Sequence, residues 1–204
     1  MRRFVWLTGL VLAFILSGAL AYYGWWVLQI EKGNSALRQG EVETALEIYE
    51  KAEWPFQWAP WLARILSDDY QKLVFNRISI LYGARENDAV IKKLEQEAAR
   101  APFLSETAEY SFWMGNVLLR RAVRAKNPQA TVNDLKAALA EYQKGLMAQP
   151  EDWDLKYNYE LLLSVLSRKG RDESKEEERV KSLLDKMRPQ VEPQKEQLAP
   201  EKRG

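Results

Sequence analysis

Gly33-Asn34-Ser35-Ala36-Leu37-Arg38 returns in outline 82 positions later as Gly115-Asn116-Val117-Leu118-Leu119-Arg120. A recurrence of G-N-x-x-L-R marks an internal repeat. A short helical unit cannot bury its apolar face alone and must stack on copies of itself, so the repeat points to the architecture. The residues downstream of each copy agree. After the first come Gly40, Ala45, Tyr49 and Ala52, with Pro55 soon after; after the second come Ala138, Tyr142, Gly145 and Pro150. In the second stretch Leu135, Ala138, Leu139, Tyr142 and Leu146 share one helical face. Small residues let two helices of a unit approach closely, and Pro150 predicts the end of the second.

Upstream, Arg2 and Arg3 precede Phe4 to Ile30, a run of 27 residues without a charge, and about 20 suffice for a helix to cross a bilayer. Tyr22, Tyr23, Trp25 and Trp26 gather at its far end, where amphipathic rings favour the lipid–water interface, while the arginines favour the cytoplasmic side. The expected topology is single-pass, N-in and C-out. Ala19-Leu20-Ala21 also satisfies the A-x-A pattern of a cleavable signal peptide. The uncleaved anchor is preferred because the apolar run continues through Trp25, Trp26, Val27, Leu28 and Ile30. Either way the body is exported. The expected plan is a cytoplasmic start and transmembrane anchor at 1–30, a helical domain at 31–170, and a charged, mostly disordered tail at 171–204.

Composition argues for a binding module over an enzyme. The chain has neither cysteine nor histidine, which removes disulfides, thiolate nucleophiles, histidine bases, Ser-His-Asp triads and the usual zinc or haem ligand sets. Paired carboxylates remain, but Glu41-x-Glu43, Asp68-Asp69 and Glu151-Asp152-x-Asp154 stand at expected helix starts, where acids cap and complement the dipole. No Walker A loop, EF-hand loop or G-x-G-x-x-G occurs, so no cofactor is expected. The net charge of +1 leaves no basic field for nucleic acid.

By these residues the chain resembles the tetratricopeptide-repeat (TPR) family, with a glycine and small residue in the first helix of each unit, Ala-x3-Tyr in the second, and a terminating proline. The implied fold is all-α, an N-terminal transmembrane helix leading into a short TPR-like solenoid. Aligning Gly33 with Gly115 gives units at about 26–59, 71–104 and 108–152, with a fourth opening at 153. Insertions of 11 residues fall at 60–70 and within 121–134. The middle unit is degenerate, with Val90 and Leu94 where Ala and an aromatic are usual. After Pro150, Leu155, Tyr159, Leu162, Leu163 and Leu166 predict a final helix that docks on the third unit, with Gly170 as its stop.

In such a superhelix the first helices line a concave groove, and the resemblance places Asn34, Asn76, Asn116 and Asn158 on it. An asparagine amide both donates and accepts, so paired asparagines could hold a partner's main chain. Arg38 and Arg120 lie one turn beyond Asn34 and Asn116, where a guanidinium could grip a carboxylate. The lysine of the family's carboxylate clamp is missing, with Phe112 in its place. The plainer and preferred alternative has the asparagines bonding neighbouring helices.

Trp54, Phe56, Trp58 and Trp61, interleaved with Pro55 and Pro60, form a candidate aromatic contact patch. They are expected to pack as a plug between units one and two, with contact to the lipid surface or to a partner as the alternatives. In the tail, Val180, Leu183, Leu184 and Met187 form an i, i+3, i+4, i+7 stripe, either a partner-docking helix or a marginal one lying on the domain.

The plan as a whole, ending in Lys156-Tyr157-Asn158-Tyr159-Glu160-Leu161, is similar to the small TPR proteins of bacterial MoxR–von Willebrand operons, of the MxaK type or the aerotolerance BatC type. The resemblance implies a non-enzymatic scaffold in the bacterial inner membrane with its C-terminal domain in the periplasm. Its partners would be von Willebrand-domain membrane proteins or a client periplasmic dehydrogenase of the methanol-dehydrogenase kind, which it would help to mature. A general envelope or cytochrome-maturation adaptor is the alternative.

Overall fold

The computed structural model describes residues 2–168, with side chains from Trp6 onward; the expected tail, its Val180–Met187 stripe and the stop at Gly170 lie outside the described residues. Among the described residues every regular element is helical. The chain divides between Trp58 and Ala59 into two compact units, and each is described by itself.

The first unit is a hairpin of α1 (Arg2–Arg38) and α2 (Val42–Trp58). α1 runs unbroken for 37 residues, about 55 Å at 1.5 Å per residue. Its two halves differ. From Trp6 to Trp25 every residue is exposed, in a helix long and apolar enough to span a membrane. Beyond that, Trp26, Ile30, Gly33 and Ala36 recur at helical spacing and are buried, as are Ala45, Tyr49, Ala52 and Phe56 of α2. Trp26 fixes the register: its indole N–H donates to the Ala52 carbonyl at 2.9 Å, and its ring meets Phe56 edge-on with centroids 5.6 Å apart.

The turn between the helices needs a left-handed residue, and Gly40 supplies it at φ 80°. The Gly40 N–H bonds back to Leu37 and the Glu41 N–H to Ala36, closing α1. Pro55 does not end α2. It lies inside the helix, which runs on to Trp58. Pro55 withholds one N–H from the ladder, and the contacts of Trp26 with Ala52 and Phe56 on either side hold the turn in place.

The second unit contains α3 (Leu62–Ile65), α4 (Ser67–Gly83), α5 (Asn87–Arg100), a 3-10 turn at Pro102–Glu106, α6 (Ala108–Arg124), α7 (Pro128–Ala148) and α8 (Trp153–Arg168). The insertion at 60–70 folds as α3 and the first turn of α4. The one at 121–134 is absorbed by helix: α6 runs to Arg124, and α7 starts at Pro128 behind an Asn127 cap whose side chain accepts the Gln129 N–H. Thr107 caps α6 through the Tyr110 N–H, and the Asp152 carboxylate accepts the Leu155 N–H at the start of α8. α7 stops at Ala148, just before Pro150.

The core of this unit includes Tyr70, Leu73, Ile78, Leu94, Leu104, Leu135, Tyr142, Leu155 and Leu162, each at most 2% exposed. Gly145 lets α8 close on α7, since a Cβ there would come within 2.8 Å of the Leu155 side chain. The α4–α5 turn repeats the α1–α2 turn bond for bond, with the Arg85 N–H on Tyr82 and the Glu86 N–H on Leu81. The left-handed seat is held here by Arg85, at φ 65°.

Candidate functional site

The two G-N pairs have the same local geometry. In α1 a Cβ on Gly33 would come within 2.7 Å of the Tyr49 ring, and the Tyr49 hydroxyl donates to Asn34 Oδ1 at 2.6 Å. In α6 a Cβ on Gly115 would run into the Tyr142 ring, and the Tyr142 hydroxyl donates to Asn116 Oδ1 at 2.8 Å. Each glycine admits a tyrosine from the second helix, and each succeeding asparagine receives its hydroxyl. Tyrosine and asparagine are 15 residues apart in the first hairpin and 26 in the other. The additional 11 residues are those that lengthen α6 and α7.

The surroundings differ. Asn34 is half-buried and also donates to Glu31, which pairs with the exposed Arg38 at 2.9 Å. These bonds, from Arg38 first and Asn34 second, hold the Glu31 carboxyl below its ordinary value. Asn116 is only 3% exposed, and its Oδ1 accepts a second bond, 3.2 Å from Asn158 Nδ2 of α8. Asn116 Nδ2 meets no acceptor among the described residues. Burial pushes the Tyr142 hydroxyl well above its usual range, so it stays a donor.

Asn116 and Asn158 are thus brought together across 42 residues and bond each other. Asn34 belongs to the first unit and Asn76 to the second. Asn76 is half-buried, and its carbonyl accepts the Ser79 hydroxyl. Arg120, one turn beyond Asn116 on α6, turns to Tyr82 of α4. Its guanidinium lies 3.2 Å from the centre of the Tyr82 ring and donates to the Tyr82 carbonyl, closing the end of α4. Burial lowers its pKa, opposed by the contact with Tyr82.

Of the aromatic patch, only Phe56 is packed, at 1% exposed against Trp26. Trp54 and Trp58 lie on the outer face of α2 at 57% and 76% exposed, their rings 5.9 Å apart. Trp61, in the second unit, is 63% exposed. Trp54 and Trp58 thus stand off the buried stripe of α2 that holds Phe56.

Three features were not anticipated. The first is a buried charge cluster between α4 and α5, in which Glu97 is 1% exposed and receives bonds from Lys93 at 2.8 Å, Arg100 at 2.9 Å and the Tyr70 hydroxyl. Burial pushes its carboxyl up, but Lys93, Tyr70 and Arg100 together outweigh that and hold it below its ordinary value. Burial and the Glu97 carboxylate raise the Tyr70 hydroxyl. The spacing Lys93-x3-Glu97-x2-Arg100 signals an ion-paired helix face, but Tyr70 comes from another helix.

The second is the stacking of Arg120 on Tyr82. The third is a cavity of about 380 Å³ at the α4–α5 turn, lined by Arg85, Glu86, Asn87, Asp88, Ala89, Arg121 and Arg124. Arg121 is committed to Asp134 through two bonds of 2.7 and 2.8 Å, which raise its pKa. Arg124 reaches the Arg85 carbonyl. The lining mixes both signs of charge and suits a polar ligand more than an apolar one. Among the described residues no group of three or more acidic side chains converges as a cation site. No family model matches the chain, and no curated protein matches it.

Proposed function

We propose that the protein is a non-enzymatic, membrane-anchored scaffold with a TPR-like helical domain, held at the periplasmic face of a bacterial inner membrane. On this reading it serves as an assembly or maturation factor, with von Willebrand-domain membrane proteins and a periplasmic dehydrogenase as partner and client. The observation that carries it is the division of α1. One half has no protein around its apolar side chains, and the other half is the first helix of a hairpin. An exposed apolar stretch of that length in water would be strongly unfavourable, at about 25 cal/mol per Å², whereas a bilayer accepts it. The glycine–asparagine–tyrosine geometry shared by α1–α2 and α6–α7 supports the repeat reading.

The side-chain oxygens of Asn34 and Asn116 are engaged inside the hairpins, so the partner surface on this reading is the outer face of the helices, which includes the mixed-charge cavity at the α4–α5 turn. Purification of the C-terminally tagged protein in mild detergent from its native membrane, with identification of the proteins that co-purify, tests the reading. Von Willebrand-domain proteins or a dehydrogenase should be recovered; a chain recovered alone would overturn it. A C-terminal alkaline phosphatase fusion should be active, and an inactive one would overturn the exported orientation.

A further inference from the structure

The two helices of the first unit change character at the same level. In α1 the last uncharged residue of the apolar run is Ile30, and Glu31 and Lys32 come next. In α2 the outer stripe reads Glu47, Lys51, Trp54, Trp58, with Glu47 and Lys51 paired one turn apart and the two tryptophan rings in contact beyond them. From Trp54 to Ala63 no residue is charged. Tyr49 meets Gly33 while Ala52 and Phe56 meet Trp26, so the antiparallel register is known. In it Lys51 comes level with about Ile30, and Trp58 with about Tyr23. The charged half of α2 therefore lies beside the charged end of α1. Its tryptophan half lies beside Tyr22, Tyr23 and Trp25, which are 38–55% exposed at the end of the apolar stretch.

We infer that the last turn of α2 enters the lipid–water interface alongside α1, with Trp54 and Trp58 as headgroup-level anchors, so that the hairpin rests on the bilayer instead of standing clear of it. The inference depends on α1 spanning the membrane. Tryptophan is suited to this depth because its ring is apolar while its N–H can reach headgroup or water. Lys51 and Glu47, about one and two turns further out, stay in water. Pro55 leaves the Lys51 carbonyl without a helical donor, a group that headgroup-level water can satisfy.

The absence of cysteine makes a direct test simple. Single cysteines are placed in the full-length chain as Trp58→Cys, Glu50→Cys and Leu16→Cys, spin-labelled and reconstituted in phosphatidylcholine/phosphatidylglycerol vesicles. The accessibility of each label to oxygen and to a water-soluble nickel chelate is then compared. All three positions are exposed, so the labels should not disturb packing, and circular dichroism checks the helix content. The expected order of the oxygen-to-nickel ratio is Leu16 highest, Trp58 several-fold above Glu50, and Glu50 as in water. A Leu16 label in lipid with Trp58 equal to Glu50 would overturn the inference alone. A Trp58 label shielded from both reagents would assign the face to a protein contact and also overturn it. A Leu16 label that reads as aqueous would remove the membrane span, and the inference with it.

Discussion

The hairpins α1–α2 and α6–α7 solve one packing problem with the same three residues, yet bury the solution to different depths. Both pass a tyrosine ring over a glycine and end its hydroxyl on the next asparagine. In α1–α2 the asparagine is half-buried and shares itself with an exposed acid; in α6–α7 it is sealed beneath Asn158 of α8. The α4–α5 hairpin inverts the device, with the tyrosine on the first helix, a buried carboxylate on the second, and two cations closing the charge. The bond between a tyrosine hydroxyl and its neighbouring helix persists while its chemistry varies, so the energetic weight of each copy depends on what covers it.

The largest break in that comparison should come from Glu97→Gln. Removing the carboxylate leaves Lys93 and Arg100 without their partner in a nearly dry site, at a cost of about 3 kcal/mol, read as a lower midpoint in denaturant. The wild type should show a related acid sensitivity. Because the folded Glu97 carboxyl sits below its ordinary value of 4.5, its contribution is complete above that value and is lost as the pH falls through the folded pKa. Glu97→Gln should flatten this part of the stability–pH curve, and an unchanged slope would count against the cluster.

Next, Gly115→Ala should destabilise by about 2 kcal/mol, because the Tyr142 ring is fully buried and cannot retreat. Gly33→Ala should cost about 1 kcal/mol: Tyr49 is equally buried, but a Cβ on Gly33 would stand 2.7 Å from its ring, a milder clash than the one at Gly115. Equal thermal shifts would show that the closer approach at Gly115 does not matter. Removing the hydroxyls alone separates the hydrogen bond from the ring. Tyr142→Phe strands buried Asn116 further and should cost about 1.5 kcal/mol, while Tyr49→Phe, where water can replace the donor, should cost about 0.5 kcal/mol.

The smallest effect should have the opposite sign. The α1–α2 and α4–α5 turns share their hydrogen bonds, but one has Gly40 and the other Arg85 in the left-handed seat. Arg85→Gly relieves the steric cost of that conformation, offset by the greater freedom of glycine in the unfolded chain, and should stabilise by about 0.5 kcal/mol. A loss of stability would mean that the Arg85 side chain contributes at the rim of the cavity.

The helical fold was legible because its signals are local. Repeated G-N pairs, Ala and Tyr at helical spacing, Pro150, and Asp152 ahead of α8 each state a backbone requirement within a few residues. The depth of each site was not legible, because it depends on which helix arrives from elsewhere. G-N reads the same in α1 and α6, but only α6 receives Asn158. Nor does Pro55 show in sequence what surrounds it: Trp26, 29 residues earlier, bonds the Ala52 carbonyl before it and packs on Phe56 after it. Tyr70 and Glu97 gave no paired signal because their separation of 27 residues obeys no helical period. Trp54 and Trp58 declared themselves as unusual, and their exposure required the register of α1 against α2.

The unbroken course of α1 has a mechanical consequence. A flexible linker after a membrane span lets the attached domain swivel, whereas a helix stapled to its neighbour by Trp26 and Tyr49 transmits torque. If the apolar half spans the bilayer, any tilt it adopts reappears as tilt of the hairpin. Spans respond to hydrophobic thickness by leaning, within a range of about 0–40°. A change in lipid composition would therefore re-aim the hairpin, making α1 a lever through which bilayer thickness can steer what α2 presents.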